Sequence, residues 1–338
     1  MPAPSTAIEG TGNYFELVYA DLATFGKAPI ATAANLPGAD LAVFGVPWDT
    51  TATLRPGARL GPRRIREQTQ WFEQVWNPEA APMCGYDPRG ERKRERMRIV
   101  DCGDATVVPT DVHRTADAIR TVARAIAADA VPLMLGGDHY VMFPTYQGVT
   151  DAHPGTVVGI VQIDAHNDLI DDDAVLGRHW SGTPIRRSIE HAGLDPRAVA
   201  QVGLRGFVGE NELPLQREQG FVTVPMAQAR ELGPAAVAER VMDAVLAHCD
   251  AVYLTIDIDS VDPSCAPGCC TPVPGGLLAH EFLDLLRELG RYREIVALDL
   301  VEVAPPLDPT EQTAILAAHG LFGFIEQRFL RAPVERTR

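Results

Sequence analysis

No run of about 20 apolar residues occurs in this 338-residue sequence, so no membrane-spanning helix is expected. The N-terminus, M-P-A-P-S-T-A-I-E-G-T-G, lacks the basic start and apolar stretch of a secretory signal, and cytoplasmic residence is the expectation. Basic residues are scarce: 30 Lys and Arg stand against 45 Asp and Glu, a net charge of −15. That balance argues against nucleic acid as a partner and favours small cationic ligands. The segment E-R-K-R-E-R-M-R (91–98) is mixed in sign and reads as a solvated loop. The cysteines Cys84, Cys102, Cys249, Cys265, Cys269 and Cys270 show no C-x-x-C zinc spacing and read as reduced thiols. The adjacent pair Cys269-Cys270 has two readings, small loop residues or a redox or soft-metal device. No repeat or low-complexity linker divides the chain.

What is present is 46% hydrophobic residues, ample for a core, in a recurring order. Short apolar runs lie at Leu41–Val46, Arg98–Val100, Pro132–Leu135, Val157–Ile163, Ala198–Gly203, Phe221–Val224, Ala251–Ile256 and Ile295–Leu300. Most lack polar alternation, which fits strands buried on both faces of a parallel sheet. Helical patterns alternate with them at Pro62–Phe72, Ala116–Ala128, Thr183–His191, Ala235–His248, His280–Leu289 and Ala314–Leu330. Thr115 and Thr183 suit N-caps, and Pro184 and Pro234 suit first turns. Strand-then-helix alternation predicts one α/β domain with a mostly parallel sheet over 31–338, behind an N-terminal extension (1–30) whose first 13 residues are expected to be mobile.

In such sheets ligands gather beyond the carboxyl ends of the strands. Three of these ends carry unusual chemistry: G-G-D-H with Asp138 and His139, D-A-H-N-D with Asp164, His166 and Asp168, and D-I-D with Asp257 and Asp259, followed by Asp262. Alternate residues of an extended segment share a face, so each group can converge. Each group alone is explained by capping aspartates or a core histidine; three together point to metal. His139, His166, Asp164, Asp168, Asp257 and Asp259 are too many ligands for one tetrahedral zinc. They suit two divalent ions bridged by carboxylates with an activated water between them. Nitrogen and oxygen ligands without cysteine favour Mn, with Ni, Fe or Co as alternatives.

These residues resemble the ureohydrolase family, the arginases, agmatinases and relatives that hydrolyse guanidino compounds. The likeness runs from about Ala39 to Ile325. It includes L-R-P-G-A-R-L-G-P-R-R-I-R (54–66), the three metal motifs, A-P-G-C-C-T-P-V-P-G-G-L (266–277) and L-V-E-V-A-P (300–305). The resemblance implies an arginase-type three-layer α/β/α sandwich around an eight-stranded sheet. It also implies one ion held by His139, Asp164, Asp168 and Asp257, and another by Asp164, His166, Asp257 and Asp259. Manganese is implied first, and nickel is the main alternative. Glu302 matches the carboxylate that holds the guanidinium, a sensible partner for a planar cation. A homo-oligomer, trimer or hexamer, is expected, or a mixed oligomer with a paralogue.

The segment G-R-H-W-S-G-T-P (177–184) departs from the family pattern, because Ser181 stands where relatives place a proton-shuttling histidine before Gly-Thr-Pro. A serine hydroxyl has the wrong acidity for that work, whereas His179 has a suitable pKa and, on an extended segment, shares a face with Ser181. Three readings stand open: His179 is the displaced acid, it is a pocket wall with water carrying the proton, or the chain is an impaired partner subunit. Ser-Gly-Thr-Pro is also similar to formimidoylglutamases, which keeps an iminium-type substrate in view. Asp171, Asp172 and Asp173 would repel a carboxylate tail, although Arg178 offsets this. Trp48, Trp71 and Trp180 suit an aromatic wall for a compact cation, with Trp180 expected to face away from its neighbours or to pack in the core. The expected substrate is therefore a small guanidino compound without an α-amino acid end: agmatine, guanidinobutyrate, guanidine or a biguanide such as metformin. A one-zinc deacetylase on the related fold fits poorly, since ligands for two ions are present.

Overall fold

The computed structural model describes residues 22–36, 38–70, 98–206 and 219–330. Eight strands form one sheet: β1 (Leu41–Gly45), β2 (Ile99–Asp104), β3 (Val131–Leu135), β4 (Val158–Ile163), β5 (Val199–Val202), β6 (Val222–Val224), β7 (Ala251–Asp257) and β8 (Ile295–Val301). Their order is β2-β1-β3-β8-β7-β4-β5-β6, and every pairing is parallel.

The unbroken apolar runs are explained by helices on both faces of this sheet. Along β1, Leu41 and Val43 enter one core cluster while Ala42 and Phe44 enter another, the period of two expected of a pleated strand. The first face is covered by α1 (Gly61–Gln68), α6 (Pro234–Leu246), α7 (Ala279–Leu289) and α8 (Gln312–Ile325), whose Ile65, Val241, Phe282 and Leu321 lie in the same cluster as Leu41. The opposite face is covered by α2 (Val112–Ala127) through Ile119 and Ile126. It is also covered by α3 (Met142–Ala152) and α4 (Pro184–Ala192) through Tyr146 and Ile185. Phe25, ahead of β1, is fully buried in the first cluster, and its backbone N–H donates to Asp101 at 2.8 Å.

Two caps differ from expectation. The α2 helix begins earlier than its apolar period suggests, because Asp111 accepts a hydrogen bond from the Arg114 backbone and caps it. Thr115, within the helix, instead bonds the backbone of Val108 ahead of it. Thr183 does precede α4, but its hydroxyl donates to the Trp180 carbonyl at 2.8 Å and caps nothing. Among the described residues, two helices lie outside the sequence pattern: α3 and the short α5 (Met226–Leu232). In α3 seven of 11 residues are buried, so its sequence has no polar face to set a helical period. Residues 1–13, 91–97, Trp71 and Cys84 lie outside the described residues. Among the described residues, no helix is long and apolar enough to cross a membrane.

Candidate active site

The four central strands, β3, β8, β7 and β4, stand side by side, and their carboxyl ends deliver the functional side chains together. After β3 the chain must turn under the loop that follows β1, where the Asp138 N–H donates to the Trp48 carbonyl at 2.8 Å. A Cβ on Gly137 would sit 1.6 Å from that carbonyl oxygen, so only glycine fits ahead of His139. Asp257 ends β7 and caps a single turn of 3-10 helix (Ile258–Ser260), its carboxylate accepting from the Asp259 N–H at 2.8 Å. Asp164 follows β4 at a bend, with its Oδ1 taking the His166 N–H at 2.6 Å. The i, i+2 residues thus do converge, but through bends and a 3-10 turn and not through the extended alternation expected from the spacing. Asp168 (φ 51°) and Glu302 (φ 65°) are both in the left-handed region, a costly conformation for a side-chain-bearing residue.

His139 Nδ1 lies 2.8 Å from Asp168 Oδ2, 3.1 Å from Asp164 Oδ2 and 3.3 Å from Asp257 Oδ2. His166 Nδ1 lies 3.0 Å from Asp259 Oδ2 and 3.6 Å from Asp164 Oδ1. Two ligand groups result, His139–Asp164–Asp257 and Asp164–His166–Asp259, sharing Asp164, with Asp168 against the first. His139 Nδ1 and Asp168 Oδ2 are buried without hydrogen-bond partners although only 2.8 Å apart, two potential donor atoms for a metal set side by side. That arrangement fits a cation. The electrostatics agree. Burial works against a charged His166, yet Asp164 and Asp259 outweigh it and push its pKa up to about 12. Burial and the neighbouring Asp259 and Asp164 push Asp257 well above the usual carboxylate range. Like charges this dense need positive charge among them.

Polar residues hidden inside the strands support this nest, and pattern reasoning missed them. Gln162 on β4 donates to Asp164 Oδ2 at 2.6 Å, and Gln201 on β5 donates to the Asn167 carbonyl at 2.7 Å. His139 Nε2 is 2.9 Å from the Thr255 hydroxyl, which donates onward to Asp299 at 2.8 Å; Tyr253 donates to the other Asp299 oxygen at 2.6 Å. With Thr255 committed to Asp299, the imidazole must be the donor at Nε2, leaving Nδ1 free to ligate. The sequence signal was available: Gln162, Thr255 and Asp299 are the polar interruptions of otherwise apolar strands.

Above the nest lies a cavity of about 170 Å³, lined in part by Thr53, Asn167, Trp180, Ser181, Thr271 and Glu302. Glu302 Oε1 accepts from the His139 N–H at 2.8 Å, while Oε2 is buried with no partner. Burial, then Asp257 and Asp138, push its pKa well above the ordinary carboxyl value. Trp180 and Ser181 both line the cavity, contrary to the alternation expected of an extended strand, because 178–182 is a run of turns and bends. The indole packs on Gly182, where a Cβ would be 2.4 Å from the ring, and its Nε1 donates to Gly177 at 3.1 Å. His179 is not among the lining residues. Its Nδ1 is 3.1 Å from the Tyr140 hydroxyl and its ring meets His113 edge-on. Burial, with the charges of His113, Arg187 and Arg178, lowers its pKa. Asp171 also stands outside the lining, paired with Arg178, Arg186 and Arg187. Trp48 is buried in the core cluster beside β1. Cys269 and Cys270 are buried free thiols whose carbonyls accept from the Arg55 guanidinium.

The sequence pattern of the arginase family matches residues 39–325. Proclavaminate amidinohydrolase of Streptomyces clavuligerus is 35% identical over 261 residues, which cover 77% of this chain and 78% of that protein. Guanidinopropionase of Pseudomonas aeruginosa is 34% identical over 269 residues, covering 78% and 79% respectively. The solved structure of the Streptomyces clavuligerus enzyme matches with a TM-score of 0.77 at 31% identity, over 93% of this chain and 98% of that one. The chain belongs to the arginase family. It is accordingly a hydrolase of C–N bonds, of a family whose enzymes use a binuclear metal centre.

Proposed function

From membership of that family, we propose that this chain hydrolyses a C–N bond of a small guanidino compound without an α-amino acid end, giving urea or a urea derivative and an amine. The observation that carries the reading is Glu302 Oε2, a buried acceptor without a partner beside the ligand nest. A guanidinium offers paired N–H donors to such a carboxylate. His139, Asp164, Asp168 and Asp257 would hold one divalent ion and Asp164, His166, Asp257 and Asp259 the other, with Mn favoured and Ni the alternative. When bound, the ions supply Lewis acidity and lower the pKa of a water for attack on the guanidinium carbon.

Glu302 fixes the substrate plane, and its anchor on the His139 backbone ties that plane to the metal ligands. Trp180 closes one side of a cavity suited to a compact ligand. Among the described residues no Lys or Arg lines it, which disfavours a substrate with an α-carboxylate. The leaving amine needs a proton. With His179 committed to Tyr140 and its pKa lowered, water passing Ser181 is the favoured carrier, and His179 serves the loop's packing. The Ser181-Gly182-Thr183-Pro184 turn at the cavity keeps a formimidoyl substrate, also a planar cationic amidine, as the second reading. Assembly as a trimer or hexamer, alone or with a paralogous subunit, is part of the proposal.

Urea release by the chain loaded separately with Mn and Ni tests this, with arginine, agmatine, guanidinobutyrate, guanidine and metformin as the panel. Turnover of a compound other than arginine, lost in Glu302→Gln, is expected. No urea from any of them, with two ions bound per chain, would refute the guanidino reading.

A further inference from the structure

Besides the metal-directed atoms of His139 and Asp168, two pocket-lining residues carry buried polar atoms without a partner: Glu302 Oε2, an acceptor, and Asn167 Nδ2, a donor. Asn167 is 6% exposed, and its backbone carbonyl is held by Gln201 at 2.7 Å. The orientation of its amide is fixed, because Oδ1 accepts from the Leu169 N–H at 3.3 Å and the free end must therefore be the NH₂. A guanidinium satisfies Glu302 but consists of donors alone, so it leaves Asn167 unserved. A buried donor without an acceptor is costly, and a fitting ligand must answer it.

We infer that the substrate carries, beyond its guanidino group, an uncharged hydrogen-bond acceptor that Asn167 recognises: the oxygen of an amide, lactam or alcohol. This rests on the guanidino-hydrolase reading and narrows it. The acceptor is uncharged because, among the described residues, no Lys or Arg lines the cavity, and the guanidinium groups around it are held mainly by other partners. Arg205 spends its guanidinium on the carbonyls of Gly203, Asp259, Ser260 and Val273. Arg55 is bound to the carbonyls of Cys269 and Cys270. Arg178, Arg186 and Arg187 are paired with Asp171 and Glu190. The carboxylates Asp164, Asp168, Asp257, Asp259 and Glu302 outnumber the charge of two dications, so the cavity stays negative and rejects an anionic tail.

The test compares 4-guanidinobutanamide with pentylguanidine and 4-guanidinobutyrate on the Mn-loaded chain. The amide is expected to exceed the alkyl compound in kcat/KM by roughly tenfold or more, with the acid below the amide. Asn167→Asp keeps the acceptor for Leu169 while removing the donor, and Asn167→Ala removes both. In each, the amide-to-alkyl ratio should fall toward one while the chain retains two ions. A wild-type ratio near one, or a ratio that survives both variants, would overturn the inference. So would an equal fall on both compounds together with lost metal, since that marks a structural residue. If the wild type releases urea from none of these compounds and from none of the panel above, the guanidino reading fails on its own account. The same ratio, read as Kd by calorimetry, then still decides whether Asn167 selects an acceptor.

Discussion

The floor and the rim of the cavity are built in opposite ways. The floor is made by the ends of β3, β4, β7 and β8, where each candidate ligand carboxylate is buried and its neighbours are fixed by strand residues such as Gln162 and Thr255. The rim, 169–183, is irregular chain with turns and bends, held by local contacts: Arg178 and, from α4, Arg186 and Arg187 on Asp171, Trp180 on Gly177 and Gly182, Thr183 on Trp180. The floor therefore concentrates uncompensated charge, while the rim cancels its charges locally and contributes shape. Under the proposed function the first region would hold the ions and, through Glu302 and Asn167, meet the ligand's polar atoms, while the second would set the ligand's size.

Breaking the floor should cost most. Asp257→Ala, which removes a carboxylate of the His139–Asp164–Asp257 group that the proposal also gives to the second ion, is expected to lower metal affinity by more than the 10- to 100-fold typical of losing an outer partner. Metal content after dialysis measures it, and a variant that keeps two ions would show that Asp257 is dispensable. Gln162→Leu strips the donor from Asp164 Oδ2, and a loss of about tenfold in metal affinity is expected. Retained affinity in that variant would make Gln162 a packing residue only. Rim changes should act on selection. Trp180→Ala widens the cavity, so kcat/KM for longer guanidines should rise several-fold relative to guanidine itself, with metal content unchanged. An unchanged profile would remove Trp180 from the selecting wall.

The smallest effect is assigned to His179. Its folded-state pKa lies below the ordinary value, so protons bind better to the unfolded chain, and stability falls as pH drops through about 6.5. His179→Asn should flatten that part of a denaturation-versus-pH curve and change turnover by less than about threefold, well below the typical contribution of a general acid. A loss of 100-fold or more would restore His179 as the acid and dissolve the division between floor and rim.

This division also marks what the sequence made legible. The alternating elements were readable because burial on both faces writes itself as unbroken apolar runs. The strand-end motifs were readable because aspartates and histidines clustered just past such runs are rarely there for packing alone. The α3 helix was not readable, since a helix buried nearly all round has no amphipathic period. The rim misled because the period-two rule holds only for extended chain. In a segment of turns, Trp180 and Ser181 can line one cavity while His179 turns to Tyr140. Gln162, Thr255 and Asp299 were visible as polar residues, but which atoms they hold depends on strand neighbours far away in sequence.

The left-handed backbone at Asp168 and Glu302 bears on how this protein would respond to laboratory selection. Each such residue is held against a preference worth about 1–3 kcal/mol, and glycine would relieve it at once. Glu302→Gly also removes a buried carboxylate, so a screen for heat resistance alone should enrich that change and others like it. Thermostable clones recovered without an activity requirement would then be disproportionately inert, and any directed-evolution campaign on this scaffold must couple survival to turnover from its first round.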